Sequence, residues 1–295
     1  MRFRIVLILV LLLGLVGLIH ATPAAAVQYG QPDGYGHPYV GLVVFYDAQK
    51  VPLWRCTGSL VSPTVLLTAG HCAGFDPELG FAPSFAQVWF DPGPIALDPN
   101  WRPGMSCDGA FTGYPCAGGF WGTPRAHPGW TGYLTIPNTH DIGVVTFAAP
   151  LPAEATRGQY GKVAPMGYLD RLATRRGLQN VEFTVVGYGL QLVKPVLIGV
   201  RERYVGTVSL VNLRSALTDG YNLHYSNSPG KGVGPGGTCF GDSGGPVLHQ
   251  TEHGEKVIVG VNSFVLNANC KGAGFAYRTD IGDSLSFLAS FGVTP

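Results

Sequence analysis

A serine flanked by glycines is the first feature of this sequence that could do chemistry. Ser243 lies in the segment GTCFGDSGGP, residues 237–246. A serine hydroxyl is a weak nucleophile at neutral pH and becomes useful only beside a positioned base. The neighbouring glycines would let a substrate carbonyl lie against bare backbone N–H groups. Taken alone, the segment is equally typical of a glycine-rich turn after a strand, so the other members of a site must be sought upstream.

A candidate base and a candidate acid precede this serine. His71 follows an apolar run in LLTAGHC, and Asp141 precedes another in THDIGVV. A nucleophilic serine needs a base within hydrogen-bond reach and a third group that orients the base. An acid at the mouth of a buried strand stays charged only if it is well hydrogen-bonded, and orienting an imidazole would meet that need. His140 is adjacent to Asp141, but strand neighbours face opposite ways, so we expect it to point elsewhere.

The first 26 residues have the features of a secretory signal. Two arginines precede the apolar run 5–19, and alanines 24–26 precede Val27. This pattern predicts a signal peptide, residues 1–26, cleaved before Val27. The run is shorter than the roughly 20 residues that a membrane span needs. We therefore expect a secreted, extracellular protein with no membrane attachment after signal removal.

Composition excludes several classes of partner. Without residues 1–26, which carry two arginines and no acid, the chain has 17 basic and 18 acidic residues. This near-neutral balance gives no electrostatic case for binding nucleic acid or an anionic membrane. The 43 glycines and 23 prolines suit a turn-rich β protein, and a hydrophobic fraction of 46% argues against disorder.

All six cysteines lie beyond the predicted signal peptide, and an even count outside the cytosol favours disulfides. Six cysteines allow 15 pairings, so the count alone does not give the connectivity. They lack paired C-x-x-C spacing and have no accompanying histidine cluster, so we predict no metal site.

Short β-prone runs at regular spacing must position the candidate residues. They predict a β half, a linker at residues 148–152, a second β half and a terminal helix. In that helix, Ile281, Leu285 and Leu288 share a face, and Thr279 or Asp280 would cap it. Residues 91–138 interrupt the pattern with proline, glycine, aromatic residues and two cysteines. This segment is either an exposed aromatic surface for a substrate or partner, or, as we favour, an insertion with its own small aromatic core.

The motifs TAGHC and GDSGGP, with the acid between them, resemble those of the chymotrypsin-like (trypsin-like) serine proteases, in that family's order of histidine, aspartate and serine. An α/β-hydrolase also has a G-x-S-x-G segment, but its order is serine, acid, histidine. No aspartate lies between Ser243 and the two histidines that follow it, His249 and His253. The order of the residues therefore favours the protease family.

The resemblance implies an all-β fold of two antiparallel six-stranded barrels with a short C-terminal helix. Residues 27–295 would form the protease domain, with barrels at about 27–150 and 151–295. The implied function is a secreted serine endopeptidase that acts through an acyl-enzyme on a polypeptide substrate, as a monomer and without a cofactor. The alternative is a catalytically silent protein of the same fold that only binds.

The resemblance also assigns roles to individual residues. Ser243 would be the nucleophile, His71 the general base and Asp141 the acid that orients it. Gly241 and Ser243 would form the oxyanion hole, and Ser263 would also bond the aspartate. It implies the disulfides Cys56–Cys72 and Cys239–Cys270, which leaves Cys107–Cys116 as a third pair.

Two departures from the family concern activation and specificity. Many members expose a new terminus by cutting at a basic site, which is missing before Val27. We predict that signal cleavage itself frees the amine of Val27 and that this amine pairs with Asp242. Gly237 stands where trypsins have an aspartate, so cleavage after arginine or lysine is not expected.

The remaining predicted pocket residues leave two interpretations open. Val265 and Gly274 at the pocket walls suggest a small or medium uncharged side chain at the cleavage point. Thr238 and Asn262 could instead make the pocket polar. Ser263 and Phe264 begin the segment that would pair with the substrate.

Overall fold

The computed structural model describes residues 27–132, 135–172, 181–191, 193, 197–227 and 236–295. The predicted signal peptide, residues 1–26, lies outside the described residues. The strands are β1 Gln31–Pro32, β2 Val40–Tyr46, β3 Pro52–Ser62, β4 Val65–Thr68, β5 Phe85–Trp89, β6 Phe120–Ala126, β7 Gly143–Thr146, β8 Lys162–Val163, β9 Glu182–Gly187, β10 Tyr204–Asn212, β11 Asn222–Ser226, β12 Pro246–Gln250, β13 Lys256–Val265 and β14 Ala273–Arg278. The helices are α1 Gly70–Ala73, α2 Tyr168–Leu172 and α3 Gly282–Ala289, with a 3₁₀ turn at Ala153–Thr156.

The first barrel closes in the order β2-β3-β4-β7-β6-β5, with antiparallel neighbours throughout. Strand β2 is buried along its whole length, because its alternate residues face two different apolar clusters. Val43 and Phe45 face the main core, whereas Leu42 and Val44 face a smaller outer cluster. This double burial explains why β2 is a continuous apolar run without polar alternation.

The second barrel contains β9, β10, β11, β14, β13 and β12 and closes where β9 pairs with both β12 and β10. Strand β8 adds to β13 in parallel, and β1 adds to β10. The predicted all-β fold of two six-stranded antiparallel barrels is therefore confirmed. No helix in the described part of the chain combines the length and apolarity that crossing a membrane requires.

The C-terminal helix α3 follows the second barrel, as expected, and buries Phe287 and Leu288 in the main core. The predicted cap is wrong. Ile281 is the N-cap residue and makes no side-chain cap hydrogen bond. Thr279 and Asp280 are unavailable because the Thr279 hydroxyl donates to the Ile258 carbonyl oxygen at 2.7 Å and the Asp280 carboxylate pairs with Arg278.

The segment 91–138 is only partly an insertion. Its last portion forms β6, which sequence patterning missed because Gly122 and Pro124 disguise the strand. Tyr114 packs against Trp89 in the outer cluster, with ring centroids 5.1 Å apart, whereas Trp121 is 40% exposed. The described part of the segment therefore does not form a separate aromatic core: Tyr114 joins a cluster made mostly of barrel residues, and Trp121 remains an exposed ring.

The structure contains three disulfides, in the same pairs that the sequence analysis gave. Cys56–Cys72 joins β3 to α1, and Cys107–Cys116 closes a loop before β6. Cys239–Cys270 joins the loop before β12 to the segment after β13. Two of the three bridges therefore hold loops that carry a candidate site residue.

A buried arginine connects the N-terminal segment to both barrels. Arg203 has no exposed side-chain surface, and its Nε lies 2.9 Å from Oδ2 of Asp33. The same guanidinium donates to the carbonyl oxygens of Val40 (2.8 Å) and Phe90 (3.1 Å) and to the hydroxyl of Tyr188 (3.3 Å). A buried charge is tolerated only with such complete pairing.

Replacing Arg203 with leucine should lower the free energy of unfolding by about 3–5 kcal/mol, because the buried Asp33 carboxylate loses its permanently charged partner and keeps only its contacts with His37. The matched control is Arg214→Leu. Arg214 also pairs with an acid, Asp170, at 3.2 Å, but its side chain is 69% exposed, so the loss should stay below about 1 kcal/mol. Chemical denaturation of the chain beginning at Val27 measures both changes. Equal losses would contradict this account.

Candidate active site

Strand pairing brings His71 and Asp141 together. Strands β4 and β7 are antiparallel, with Thr68 opposite Gly143. The residues just after β4 and just before β7 therefore lie at the same end of the first barrel. His71 is in α1, which follows β4, and Asp141 is in the turn that leads into β7.

Asp141 is completely buried and accepts hydrogen bonds from both barrels. The backbone N–H of His71 donates to Oδ1 at 2.7 Å, and Nδ1 of the same residue lies 2.9 Å from Oδ2. The Ser263 hydroxyl, from β13 of the second barrel, also donates to Oδ2. Burial alone would raise the pKa of Asp141, but the imidazole and these hydrogen bonds outweigh it and hold the pKa below its usual value.

His71 is oriented by this carboxylate and remains partly open to solvent, with 29% of its side chain exposed. Burial opposes its protonated form, yet the charge of Asp141 raises the pKa of His71 above its usual value. Because Nδ1 donates to Asp141, Nε2 of the neutral ring is left as an acceptor. That nitrogen is the one a base needs.

Ser243 lies in the loop before β12, and residues of the first barrel hold this loop. The Thr57 backbone N–H donates to the Ser243 carbonyl oxygen at 2.8 Å, and the Thr57 hydroxyl donates to that of Gly241 at 2.8 Å. Gly244 has a φ of +77°, and a Cβ there would lie 2.1 Å from Oγ1 of Thr68. Glycine is therefore required for this close approach between the barrels.

Two backbone donors beside Ser243 are unused. Within the part of the chain that the structure describes, neither the Gly241 N–H nor the Ser243 N–H donates a hydrogen bond. Gly241 has a φ of +96°, a conformation that favours glycine. Unpaired N–H groups flanking a serine hydroxyl can bind an oxyanion.

Asp242, between these donors, is fully buried and accepts hydrogen bonds from the N–H groups of Gly189 and Cys239, each at 2.9 Å. Burial raises the pKa of Asp242 to about 7. Among the described residues it has no salt-bridge partner. Val27 is also fully buried, and the next residue, Gln28, accepts a hydrogen bond from the Gly237 N–H at 3.0 Å.

A cavity of about 220 Å³ opens beside His71 and Ser243. Its other lining residues are Thr238, Cys239, Phe240, Asn262, Ser263, Phe264 and Val265. Of the predicted pocket residues, Gly237 and Gly274 do not line it. The volume is below the range of about 300–1,000 Å³ usual for small-molecule pockets, and it suits a single side chain.

Two side chains that the sequence analysis missed explain why Gly237 and Gly274 do not line the cavity. A Cβ on Gly237 would lie 2.7 Å from Oδ1 of Asn227, and one on Gly274 would lie 2.3 Å from the ring of Tyr225. Asn227 and Tyr225 thus occupy the space that the glycines leave. Neither belongs to a motif, so no local signal could have identified them.

Two groups of side chains have the composition of a metal site. In the first, His71 neighbours Cys56 and Cys72, whose sulfurs form a disulfide and cannot ligate as thiolates. In the second, His127 and His140 approach Asp283.

The second group is a hydrogen-bond network. The Gly129 N–H donates to Nδ1 of His127 at 2.9 Å, so Nε2 of the neutral ring carries the proton and has no lone pair for a metal. That Nε2 lies 3.5 Å from an Asp283 oxygen, and Nδ1 of His140 lies 2.9 Å from the other. His140 thus pairs with Asp283 and points away from Ser243, although the strand argument for this was wrong: both His140 and Asp141 precede β7, and His140 has a φ of +45°.

Comparison with known proteins agrees with this geometry. A sequence profile of the family described as Trypsin matches residues 126–283, more than half of the 295 residues. The chain therefore belongs to the trypsin family of serine proteases, which confirms the resemblance seen in its motifs. No curated protein gives a significant match.

A solved structure titled "HL collagenase structure at 1.7 Å resolution" is similar to this chain, with a TM-score of 0.63 and 15% sequence identity. The alignment covers 91% of this chain and 100% of that one. At such low identity the similarity shows the shared fold.

Replacing Asp141 with asparagine should lower the pKa of His71, because the charge that raises it is lost while the burial that lowers it remains. NMR titration in a Ser243→Ala background should place this pKa above about 6.5 with Asp141 present and below about 6.5 in the variant. Ser263→Ala is the control: it keeps the carboxylate, so the pKa should stay raised. An unchanged pKa in Asp141→Asn would refute the electrostatic coupling.

Proposed function

We propose that this protein is a secreted serine endopeptidase that hydrolyses peptide bonds through an acyl-enzyme. The observation that carries the proposal is that His71, hydrogen-bonded to the buried Asp141, lines the same cavity as Ser243. Membership of the trypsin family and three disulfides support it. The polypeptide substrate would bind in the cleft between the barrels.

Each group has a role in this mechanism. Nε2 of neutral His71 accepts the proton of the Ser243 hydroxyl as the oxygen attacks the peptide carbonyl, and the imidazolium then protonates the leaving amine. Asp141 holds the ring in the required tautomer and stabilises its charge. The N–H groups of Gly241 and Ser243 bind the developing oxyanion, where one such donor is worth about 3–4 kcal/mol.

A terminal amine at Val27 would complete this site. Asp242 is a buried carboxylate without a cationic partner among the described residues, and the Val27 side chain is already buried in the same barrel. Cleavage before Val27 would create an ammonium group that pairs with Asp242. The pairing would stabilise the charged carboxylate and, with it, the flanking oxyanion hole.

A catalytically silent binding protein is the alternative function. Loss of activity in a protease fold usually removes a member of the triad or the glycines of the oxyanion hole. Here all these residues are present, and His71 and Asp141 are hydrogen-bonded. These observations favour catalysis.

A fluorophosphonate probe should label the chain beginning at Val27, because the probe reacts with activated serines. Ser243→Ala should abolish labelling and lower peptide hydrolysis roughly 10⁶-fold. Ser59→Ala is the matched control, since Ser59 is a buried serine of the first barrel that does not line the cavity. Failure of the parent to label would support the binding-protein alternative.

Retaining one alanine before Val27 should reduce activity and change the dependence of stability on pH. In this extended chain Asp242 keeps a raised pKa of about 7, whereas its unfolded value is near 3.9. The native state then binds more protons than the unfolded state between about pH 4 and 7, so stability falls as pH rises through this window.

In the chain beginning at Val27, the ammonium should lower the pKa of Asp242, so stability should no longer fall as pH rises from about 4 to 7. Denaturation at pH 5 and pH 7 compares the two proteins, and N-terminal sequencing of the secreted protein identifies its first residue. A fully active secreted protein with another first residue would overturn the assignment of Val27.

A further inference from the structure

Three polar side chains form a connected group at the base of the cavity. The Tyr225 hydroxyl lies 2.7 Å from Oγ1 of Thr238 and 3.0 Å from Oδ1 of Asn262. Thr238 and Asn262 line the cavity, and Tyr225 lies behind them without exposed surface. All three are buried, so a hydrogen bond that the protein leaves unmade must be made with water in the cavity or with a bound substrate.

Counting protons shows what this group leaves unused. The tyrosine hydroxyl has one proton, which it donates to Oδ1 of Asn262, so it accepts from the Thr238 hydroxyl. Nδ2 of Asn262 faces the Asp242 carbonyl oxygen at 3.4 Å, which sets the orientation of the amide. Asn262 then retains one N–H donor, and Thr238 retains an acceptor lone pair.

Two other polar side chains near this group, Asn227 and Asp242, already have hydrogen-bond partners. The Asn227 carboxamide accepts from the Thr238 N–H at 2.6 Å and donates to the carbonyl oxygens of Thr238 and Cys270, each at 2.8 Å. The Asp242 carboxylate accepts from the N–H groups of Gly189 and Cys239. Of the described residues that line the cavity, Thr238 and Asn262 therefore have hydrogen-bonding capacity left to recognise a substrate side chain.

None of the described residues that line the cavity carries a formal charge, apart from the titratable His71. Among these residues a lysine, arginine or glutamate side chain would be buried without a partner of opposite charge, which is costly. An apolar side chain would displace water and leave the donor and the acceptor unpaired. A carboxamide has one acceptor oxygen and an N–H₂ donor, which matches both groups at once.

We propose that this pocket selects a carboxamide side chain, so that the enzyme cleaves after glutamine or asparagine. Thr238 and Asn262 are the specificity-determining residues, and Tyr225 positions them. This inference rests on the proposed peptidase function and extends it to the substrate class. The cavity volume of about 220 Å³ is consistent with a medium-sized side chain at this site.

The test uses peptides that differ only in the residue before the cleaved bond: glutamine, asparagine, glutamate, methionine, leucine or arginine. The enzyme is the chain beginning at Val27, with its active sites counted by fluorophosphonate labelling. We expect kcat/KM for glutamine or asparagine to exceed that for methionine, leucine and glutamate by about 100-fold or more, because unpaired buried groups penalise the others.

Two variants connect the preference to Thr238. Thr238→Val keeps the shape of the side chain and removes the hydroxyl, so the ratio of kcat/KM for glutamine over methionine should fall at least about tenfold. Thr238→Ser keeps the hydroxyl and should keep the ratio. The labelling rate of each variant reports whether the active site is folded.

The outcomes separate the two proposals. An enzyme that labels and cleaves but prefers leucine, methionine, glutamate or arginine overturns the carboxamide inference and leaves the peptidase function standing. A chain that neither labels nor cleaves any peptide overturns the peptidase function and this inference with it. An unchanged ratio in a Thr238→Val variant that labels normally overturns the role of Thr238.

Discussion

The buried charge of Asp141 is the constraint on which the geometry of the site depends. A carboxylate without solvent contact is stable only when hydrogen bonds and an opposite charge replace its hydration. His71 supplies two of these bonds from the first barrel, and Ser263 supplies another from the second. Because both barrels share one buried charge, separating them would expose the Asp141 carboxylate to solvent or leave it buried without its hydrogen-bond partners. The same interaction orients the imidazole and raises its pKa, so the stability of the interface and the basicity of His71 have one cause.

A second set of contacts fixes Ser243 against this pair. Thr57 bonds to the backbone on both sides of Asp242, and the absence of a side chain at Gly244 allows the loop to approach β4. These contacts use carbonyl oxygens, and within the described part of the chain the N–H groups of Gly241 and Ser243 donate no hydrogen bond. The Gly244 N–H adds a further anchor, because it donates to the Asn262 carbonyl oxygen at 2.8 Å. The two N–H groups proposed to bind an oxyanion therefore belong to a loop that other hydrogen bonds hold in place.

Part of the fold was predictable because local physical chemistry determines it. Strand β2 is a long apolar run, and the last helix has apolar residues at helical spacing. Strand β6 was missed because its glycine and proline are poor strand formers, and only pairing with β5 and β7 makes it a strand. The predicted helix cap was wrong because the Asp280 carboxylate forms an ion pair with Arg278. The sequence does not show that these two side chains meet.

The sequence by itself determined which residues could perform the chemistry. The glycines around Ser243, the position of His71 after a strand and the order of the three motifs are local properties, and the trypsin family carries them in this order. The lining of the cavity proposed to recognise the substrate was decided only by the tertiary structure. Tyr225 on β11 fills the space left by Gly274 on β14 and reaches Thr238 and Asn262 on other segments. These side chains use their hydrogen-bonding groups on partners that are distant in sequence. The donor and the acceptor left over, on Asn262 and Thr238, can therefore be identified only in the folded structure.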